Sequence, residues 1–166
     1  IFKTFDDRPN LFTKREVRVQ ILADLELPKN GVIWDIGAGC GSIGLEALKL
    51  RPNLDLFCID KRIGSKALIL ENSKRLGVKP KYIFEEDIIK TLNTRNLNSF
   101  EKPNRLIIGG CDKKTKLQII NTLSKDMSIG DIIVIPIIDI QSIKELKEEL
   151  ENKNFKTNLN LIQTYK

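Results

Sequence analysis

The chain predicts an α/β fold, a three-layer sandwich around a mostly parallel sheet. Short apolar runs of strand length alternate with longer stretches of helical period along its 166 residues. A glycine-rich turn, Gly37-Ala38-Gly39-Cys40-Gly41, joins the first of those runs to the helix after it. No internal repeat or low-complexity linker breaks the alternation, so a single domain over residues 1–166 is expected.

Each element has a local reason. The stretch to Leu11 carries Phe2, Phe5, Asp6, Asp7 and Pro9 without a clear period and reads as an arm or lid. Thr13-Lys14-Arg15-Glu16 reads as a capping box opening a helix whose Val17, Ile21, Leu22 and Leu25 share one face. Pro28 to Gly31 turns the chain into a strand, Val32-Ile33-Trp34-Asp35-Ile36, and a helix follows from Ser42. Leu54 to Ile59 is a second strand, and the next helix runs to about Leu76 with Gly77 as its stop. Tyr82 to Phe84 is a third strand, ending at Glu85-Glu86-Asp87, and the polar, Asn-rich residues 93–104 read as a loop or frayed helix end. Arg105 to Ile108 is the fourth strand, ending at Gly109-Gly110, with a helix from about Lys113 to Ser124. Ile132 to Ile135 is the fifth, where Pro136 should stop ladder pairing. Gln141 to Lys153 alternates Lys and Glu as an exposed-faced helix, and Leu159 to Tyr165 reads as a last strand.

Composition narrows the chemistry. A hydrophobic fraction of 41% and a charged fraction of 30% suit a soluble globular protein. No apolar stretch approaches the roughly 20 residues of a membrane span. Cys40, Cys58 and Cys111 have no metal-like spacing and are odd in number, which reads as reduced cytoplasmic thiols. With no His at all, a zinc site is disfavoured, and any general acid or base must be Asp, Glu, Lys, Cys, Tyr82 or Tyr165. The net charge of +6 favours an anionic partner, whether nucleic acid, a polycarboxylate or an acidic surface, although most of the 28 basic residues read as solvated.

The glycine turn carries the strongest functional signal. Glycines at alternate positions between strand and helix let backbone lie directly against a ligand. Asp60, at the tip of the second strand, either accepts hydrogen bonds from a ribose diol or caps the following helix. Gly39-Cys40-Gly41-Ser42-Ile43-Gly44 also matches the G-x-G-x-x-G dinucleotide fingerprint, so NAD must be weighed. The register argues against it, because Gly37 already holds the place where the fingerprint should begin. Asp35, just before the glycines, would face a pyrophosphate unfavourably but suits a cation, unless it simply caps a loop or helix. S-adenosylmethionine, with its ammonium and sulfonium, fits that acidic strand end.

Three motifs together resemble one family. Thr13-Lys14-x-Glu16-Val17-Arg18, Trp34-Asp35-Ile36-Gly37-Ala38-Gly39-x-Gly41-Ser42 and Ile107-Ile108-Gly109-Gly110 are similar to the decarboxylating precorrin-6B methyltransferases of cobalamin biosynthesis. The resemblance implies a class I, Rossmann-like transferase that uses S-adenosylmethionine. It would methylate carbon 15 of an anionic tetrapyrrole and remove carbon dioxide from the acetate at carbon 12. It also implies cofactor contacts at Thr13, Gly37, Ala38, Gly39, Cys40, Gly41, Asp60, Asp87 and Ile88; Thr13 can be an N-cap at the same time. Substrate is expected over the fourth and fifth strand ends, near Gly109, Gly110 and Pro136, with Lys14, Arg18, Lys61 and Arg62 read either as carboxylate clamps or as plain surface charges.

The family occurs as a homo-oligomer, a tetramer, and either alone or fused behind a carbon-5 methyltransferase domain. A chain that begins at Ile and stops after a sixth strand fits the C-terminal part of such a fusion. Asn104, Cys111 and Pro136 depart from the residues usual in the family, which bears on decarboxylation more than on cofactor binding. No catalytic residue stands out. The rivals are an RNA methyltransferase and a SAM-binding scaffold that has lost catalysis. The first is disfavoured because the fourth strand ends in Gly-Gly and not in the Asn/Asp-Pro-Pro-aromatic signature of amino-group methylation, and because no dense aromatic-basic patch is present.

Overall fold

Five strands form the sheet: β1 (Gly31–Ile36), β2 (Leu54–Ile59), β3 (Tyr82–Phe84), β4 (Arg105–Ile108) and β5 (Ile132–Val134). All pair in parallel, in the order β3-β2-β1-β4-β5. The chain therefore winds outward from β1 in one direction and then in the other. The β1/β4 boundary is the point where an open parallel sheet leaves a crevice at its carboxyl edge. This computed structural model describes residues 2–7, 12–94 and 100–163.

The helices are α1 (Arg15–Asp24), α2 (Ser42–Leu50), α3 (Ser65–Leu76), α4 (Ile88–Thr94), α5 (Lys113–Leu123) and α6 (Ile143–Asn152). Strand alternation sorts the core into two layers. Ile33, Leu54, Leu56, Cys58 and Ile107 face α1, α2 and α3. Trp34, Ile36, Phe57, Ile59, Leu106 and Ile108 face α4, α5 and α6, with Trp34 stacked on Phe57 at 5.4 Å. At the sheet's amino edge the buried Arg105 guanidinium donates to the carbonyls of Leu25, Glu26, Asn104 and Gly130. Asn104 joins the edge too, since its Oδ1 accepts from Val32 N–H at 3.0 Å, which gives this departure from the family a structural use.

Four expectations need correction. Lys14, not Thr13, is the N-cap of α1, and no side-chain cap bond forms. Instead the Thr13 carbonyl accepts from Arg18 Nη1 at 2.7 Å, so the reciprocal bonds of a capping box never form. A helix, α4, fills residues 88–94, of which only 93 and 94 had a reading, as part of a loop or frayed helix end; Asp87 starts it by accepting from Ile89 N–H at 2.9 Å. The helices expected after β4 and β5 each carry a single 3₁₀ turn, at Ser124–Asp126 and Ile140–Ser142. Finally, residues 159–163 form no strand, and Leu159 and Leu161 are 67% and 81% exposed. A strand exists only by pairing its backbone groups, and no neighbouring ladder accepts these. Residues 164 and 165 of that expected strand, residues 8–11 of the arm and 95–99 of the Asn-rich stretch lie outside the described residues.

Candidate active site

A cavity of about 510 Å³ opens at the carboxyl edge of the sheet. Its wall is built from the end of β1 (Ile36, Gly37), the β2–α3 turn (Ile59 to Ile63), the end of β3 (Glu86 to Ile88), and the β4–α5 turn (Gly110 to Asp112) with Thr115. Gly37, Asp60, Asp87, Ile88 and Gly110 of the expected site residues lie on this wall, as do Lys61 and Arg62. A shallower depression of about 550 Å³ runs along the outer edge at β3, lined by Lys66, Tyr82 and Phe84. It lies away from the glycine turn.

The glycine turn is held by backbone. Gly37 and Ala38 N–H groups both donate to the Ile59 carbonyl, at 2.8 and 3.2 Å. Gly39 N–H donates to Asp60 Oδ2 at 2.7 Å, while Asp60 Oδ1 accepts from Arg62 N–H at 2.8 Å. Asp60 is therefore the clasp between the glycine turn and β2, and the cap of α3 is Gly64. A carboxylate has about four lone-pair sites, so two of them stay open for a diol.

Gly37 and Gly110 meet across the crevice. Gly37 has φ +72, and a Cβ there would run into the Gly109 carbonyl; Gly110 has φ +59, and its Cβ would sit 3.3 Å from the Gly37 carbonyl. The paired glycines thus let the ends of β1 and β4 touch backbone to backbone. Gly110, expected near the substrate, is thus also needed for the contact between the two strand ends. Ala38, Gly39, Cys40, Gly41, Gly109, Pro136, Thr13, Lys14 and Arg18 are not on the cavity wall.

Of its two expected roles, a carboxylate facing a cation or a cap of a loop or helix, Asp35 takes the second. It is 1% exposed, and its Oδ2 accepts from Gly44 N–H at 3.0 Å, inside the sheet–α2 interface. Burial, reinforced by the nearby Asp60 charge and opposed by the Gly44 hydrogen bond, pushes its carboxyl up to about 7. Asp35 therefore packs α2 onto the sheet. Arg18 is likewise committed elsewhere: its guanidinium binds Glu46 at 2.9 and 3.0 Å and the Thr13 carbonyl. A guanidinium paired on two sides inside the protein is not a substrate clamp.

The N-terminal arm crosses this region. Asn72, fully buried on α3, accepts from Lys3 N–H at 2.8 Å and donates to the Lys3 carbonyl at 2.9 Å and the Cys40 carbonyl at 3.0 Å. Farther along the arm, Arg62 lies over the Phe5 ring at 5.0 Å. One amide thus ties the arm to the glycine turn. An uncharged Asn in mid-helix, where that residue is unfavourable unless its side chain is employed, was the only sequence signal. Cys111 is half-buried on the opposite wall, and burial pushes its thiol up.

The model of the family described as "Precorrin methyltransferase domain" matches residues 4–165. The chain belongs to the precorrin methyltransferase family. Among relatives, a Saccharolobus solfataricus protein is 30% identical over 148 residues, covering 86% of this chain and 70% of that one. A Pyrobaculum aerophilum protein is 28% identical over 145 residues, covering 87% and 71%. Both are named "Probable cobalt-precorrin-6B C(15)-methyltransferase (decarboxylating)". The solved structure of a precorrin-6y C5,15-methyltransferase from Geobacter metallireducens GS-15 matches with a TM-score of 0.78 at 27% identity, covering 93% of this chain and 78% of that one. The Rossmann-like methyltransferase fold expected from the sequence is the one found.

Proposed function

We propose that this chain methylates carbon 15 of a precorrin with S-adenosylmethionine and removes carbon dioxide from the acetate at carbon 12. The observation that supports this reading is the cavity, clasped by Asp60 at the β1 and β2 ends, in a chain of the precorrin methyltransferase family. The residues present suit the cofactor. The Gly37 to Gly41 turn takes the methionine end, Asp60 the ribose hydroxyls, and Asp87 with the apolar Ile88 the adenine. Cys40 and Ala38 contribute backbone, and Thr13 closes from the head of α1. When bound, S-adenosylmethionine supplies an electrophilic methyl group.

The chain's own residues hold and orient. Fixing an enamine-like meso carbon in line with the methyl, and excluding water, supplies most of the rate without a metal or a strong base. Lys61 and Arg62 on the wall bind substrate carboxylates, and Lys14, exposed at the head of α1, guides them inward. In decarboxylation the acetate C–C bond breaks, its electron pair enters the conjugated macrocycle, and a proton from solvent finishes the new methyl group. A poorly solvated position for that one carboxylate favours the step.

The resemblance further implies a cytoplasmic homo-oligomer whose carbon-5 step belongs to a separate or fused methyltransferase domain. Among the described residues no helix is long and apolar enough to cross a membrane. Methyl-labelled S-adenosylmethionine, offered with a precorrin and excess total RNA, should place its label in the tetrapyrrole. Label in the RNA would overturn the proposal.

A further inference from the structure

The N-terminal arm lays an aromatic ring against each of two arginines. The Arg18 guanidinium lies over the Phe2 ring at 5.3 Å, and the Arg62 guanidinium lies over the Phe5 ring at 5.0 Å. Both are within reach of the attraction between a cation and an aromatic face. The two arginines differ in what else they touch. Arg18 is buried, and its donors are spent on Glu46 and the Thr13 carbonyl. Arg62 is half-buried on the cavity wall, and its guanidinium makes no hydrogen bond or ion pair among the described residues. The first pair therefore fastens the arm, while the second holds a cation whose donors are unspent.

Both sides of this second contact are fixed. The arm is tied down just before Phe5, where Asn72 bonds both backbone groups of Lys3 and Lys3 Nζ pairs with Glu71 at 3.0 Å. Arg62 N–H donates to Asp60 Oδ1 at 2.8 Å, and the Arg62 carbonyl accepts from Ser65 N–H at 3.1 Å. A long side chain on that backbone still has rotamers to lose when it binds, and the ring restricts them beforehand. Glu86, Asp87 and Asp112 share the cavity wall, so a guanidinium left to swing has protein carboxylates to fall onto. A ring on its flat face leaves the N–H groups uncovered, because they lie in the guanidinium plane. Two parallel N–H groups match the two oxygens of a carboxylate.

We propose that Phe5 is a positioning residue, whose ring holds the Arg62 guanidinium ready to bind one carboxylate of the substrate at the β2 side of the cavity. The inference rests on the tetrapyrrole reading above, in which Arg62 meets a substrate carboxylate, and adds the arm residue through which it does so. Binding forms charge-assisted hydrogen bonds, with no covalent step. A contact of this kind reads charge and not ring shape, so it orients one edge of a polyacid without selecting the macrocycle. The arm then has two parts: Phe2 and Lys3 fasten it, and Phe5 presents the cation.

The test compares the intact chain with Phe5→Leu, Phe5→Tyr, Arg62→Gln and the double variant Phe5→Leu/Arg62→Gln, using a porphyrin octacarboxylic acid and its octamethyl ester as probes. Arg62→Gln should bind the octaacid about tenfold or more weakly, and Phe5→Leu about three- to fivefold more weakly. In the Arg62→Gln background, Phe5→Leu should have no further effect, because the ring then has no cation to hold. Phe5→Tyr keeps an aromatic face and should retain the parent's affinity. Binding of S-adenosylhomocysteine and of the ester should change by less than about twofold in both Phe5 variants. Leucine preserves apolar contact, so a Phe5 that only packs would leave octaacid affinity unchanged in Phe5→Leu. That result, additive losses in the double variant, equal loss in Phe5→Leu and Phe5→Tyr, equal loss of octaacid and S-adenosylhomocysteine, or no octaacid binding by the parent overturns the proposal. Turnover of a precorrin by the parent is read separately. If the coupled octaacid losses hold while no precorrin is methylated, the positioning role stands and the proposed reaction falls.

Discussion

The two halves of the sheet's carboxyl edge are built differently. At the ends of β1, β2 and β3, backbone carries the site: Gly37, Ala38 and Gly39 N–H groups are all bonded into the β2 end, and Asp60 N–H donates to the Phe84 carbonyl at 3.0 Å. Past the Gly109-Gly110 turn, the β4 and β5 side presents side chains, with Cys111 half-buried and Ile138 and Ile140 100% and 76% exposed. A cofactor shared by many enzymes can be held by backbone that any suitable sequence provides. A substrate peculiar to one reaction needs side chains, and these vary. We propose that donor binding belongs to the first half and substrate choice to the second.

The largest effect is expected where the halves touch. Gly37→Val forces a left-handed φ of +72 on a branched residue whose Cβ meets the Gly109 carbonyl. It should cost ~3–5 kcal/mol in urea denaturation and abolish calorimetric binding of S-adenosylmethionine. Gly110→Val presses on the same contact and should lose cofactor and substrate together. Loss of precorrin turnover with cofactor affinity intact would instead make Gly110 part of a substrate platform.

Asp35 should show in the pH dependence of stability. Its carboxyl has a value of 3.8 when unfolded and about 7 when folded. Between those values the folded chain keeps a proton that the unfolded chain has released. Stability from this group is thus full below the unfolded value and is lost as pH rises through the folded one. Asp35→Asn should flatten a decline of ~2–4 kcal/mol between about pH 4 and about pH 7, followed by urea denaturation. An unchanged slope would show that Asp35 is not the buried titrating group.

Asp60→Ala should weaken S-adenosylmethionine by ~1.5–3 kcal/mol, the scale of a hydrogen bond to a charged group. It should also lower stability, because Gly39 and Arg62 N–H groups lose their acceptor. A folded variant of undiminished affinity would confine Asp60 to its clasp role. The smallest effect is at Asn72. Asn72→Ala should cost ~1–2 kcal/mol of stability and speed limited proteolysis within residues 2–7. Unaltered cleavage would mean that the arm does not depend on this latch.

Much of this was legible in the sequence, for reasons tied to particular residues. Strands β2, β3 and β4 have the expected bounds because short apolar runs between glycine and polar breaks leave few alternatives. Asp87 foretold the end of β3, yet the helix it caps was missed because Ile88 to Thr94 is shorter than two turns of clear period. The wall positions of Gly37 and Asp60 followed from topology, which fixes where strand ends meet, and that of Ile88 from the family resemblance. Arg18 was placed at the substrate, and the cap reading of Asp35 was ranked below a ligand-facing one, for a common reason. A charged residue beside a motif reads as ligand-facing, and only tertiary structure shows Gly44 and Glu46 consuming the charge.

The most direct test is the mass of the tetrapyrrole after incubation of a cobalt-free or cobalt-containing precorrin-6B with this chain and S-adenosylmethionine. The account predicts a product that has gained one methyl group and lost one carbon dioxide. A recovered substrate of unchanged mass, or a methylated product that retains every carboxylate, would contradict it.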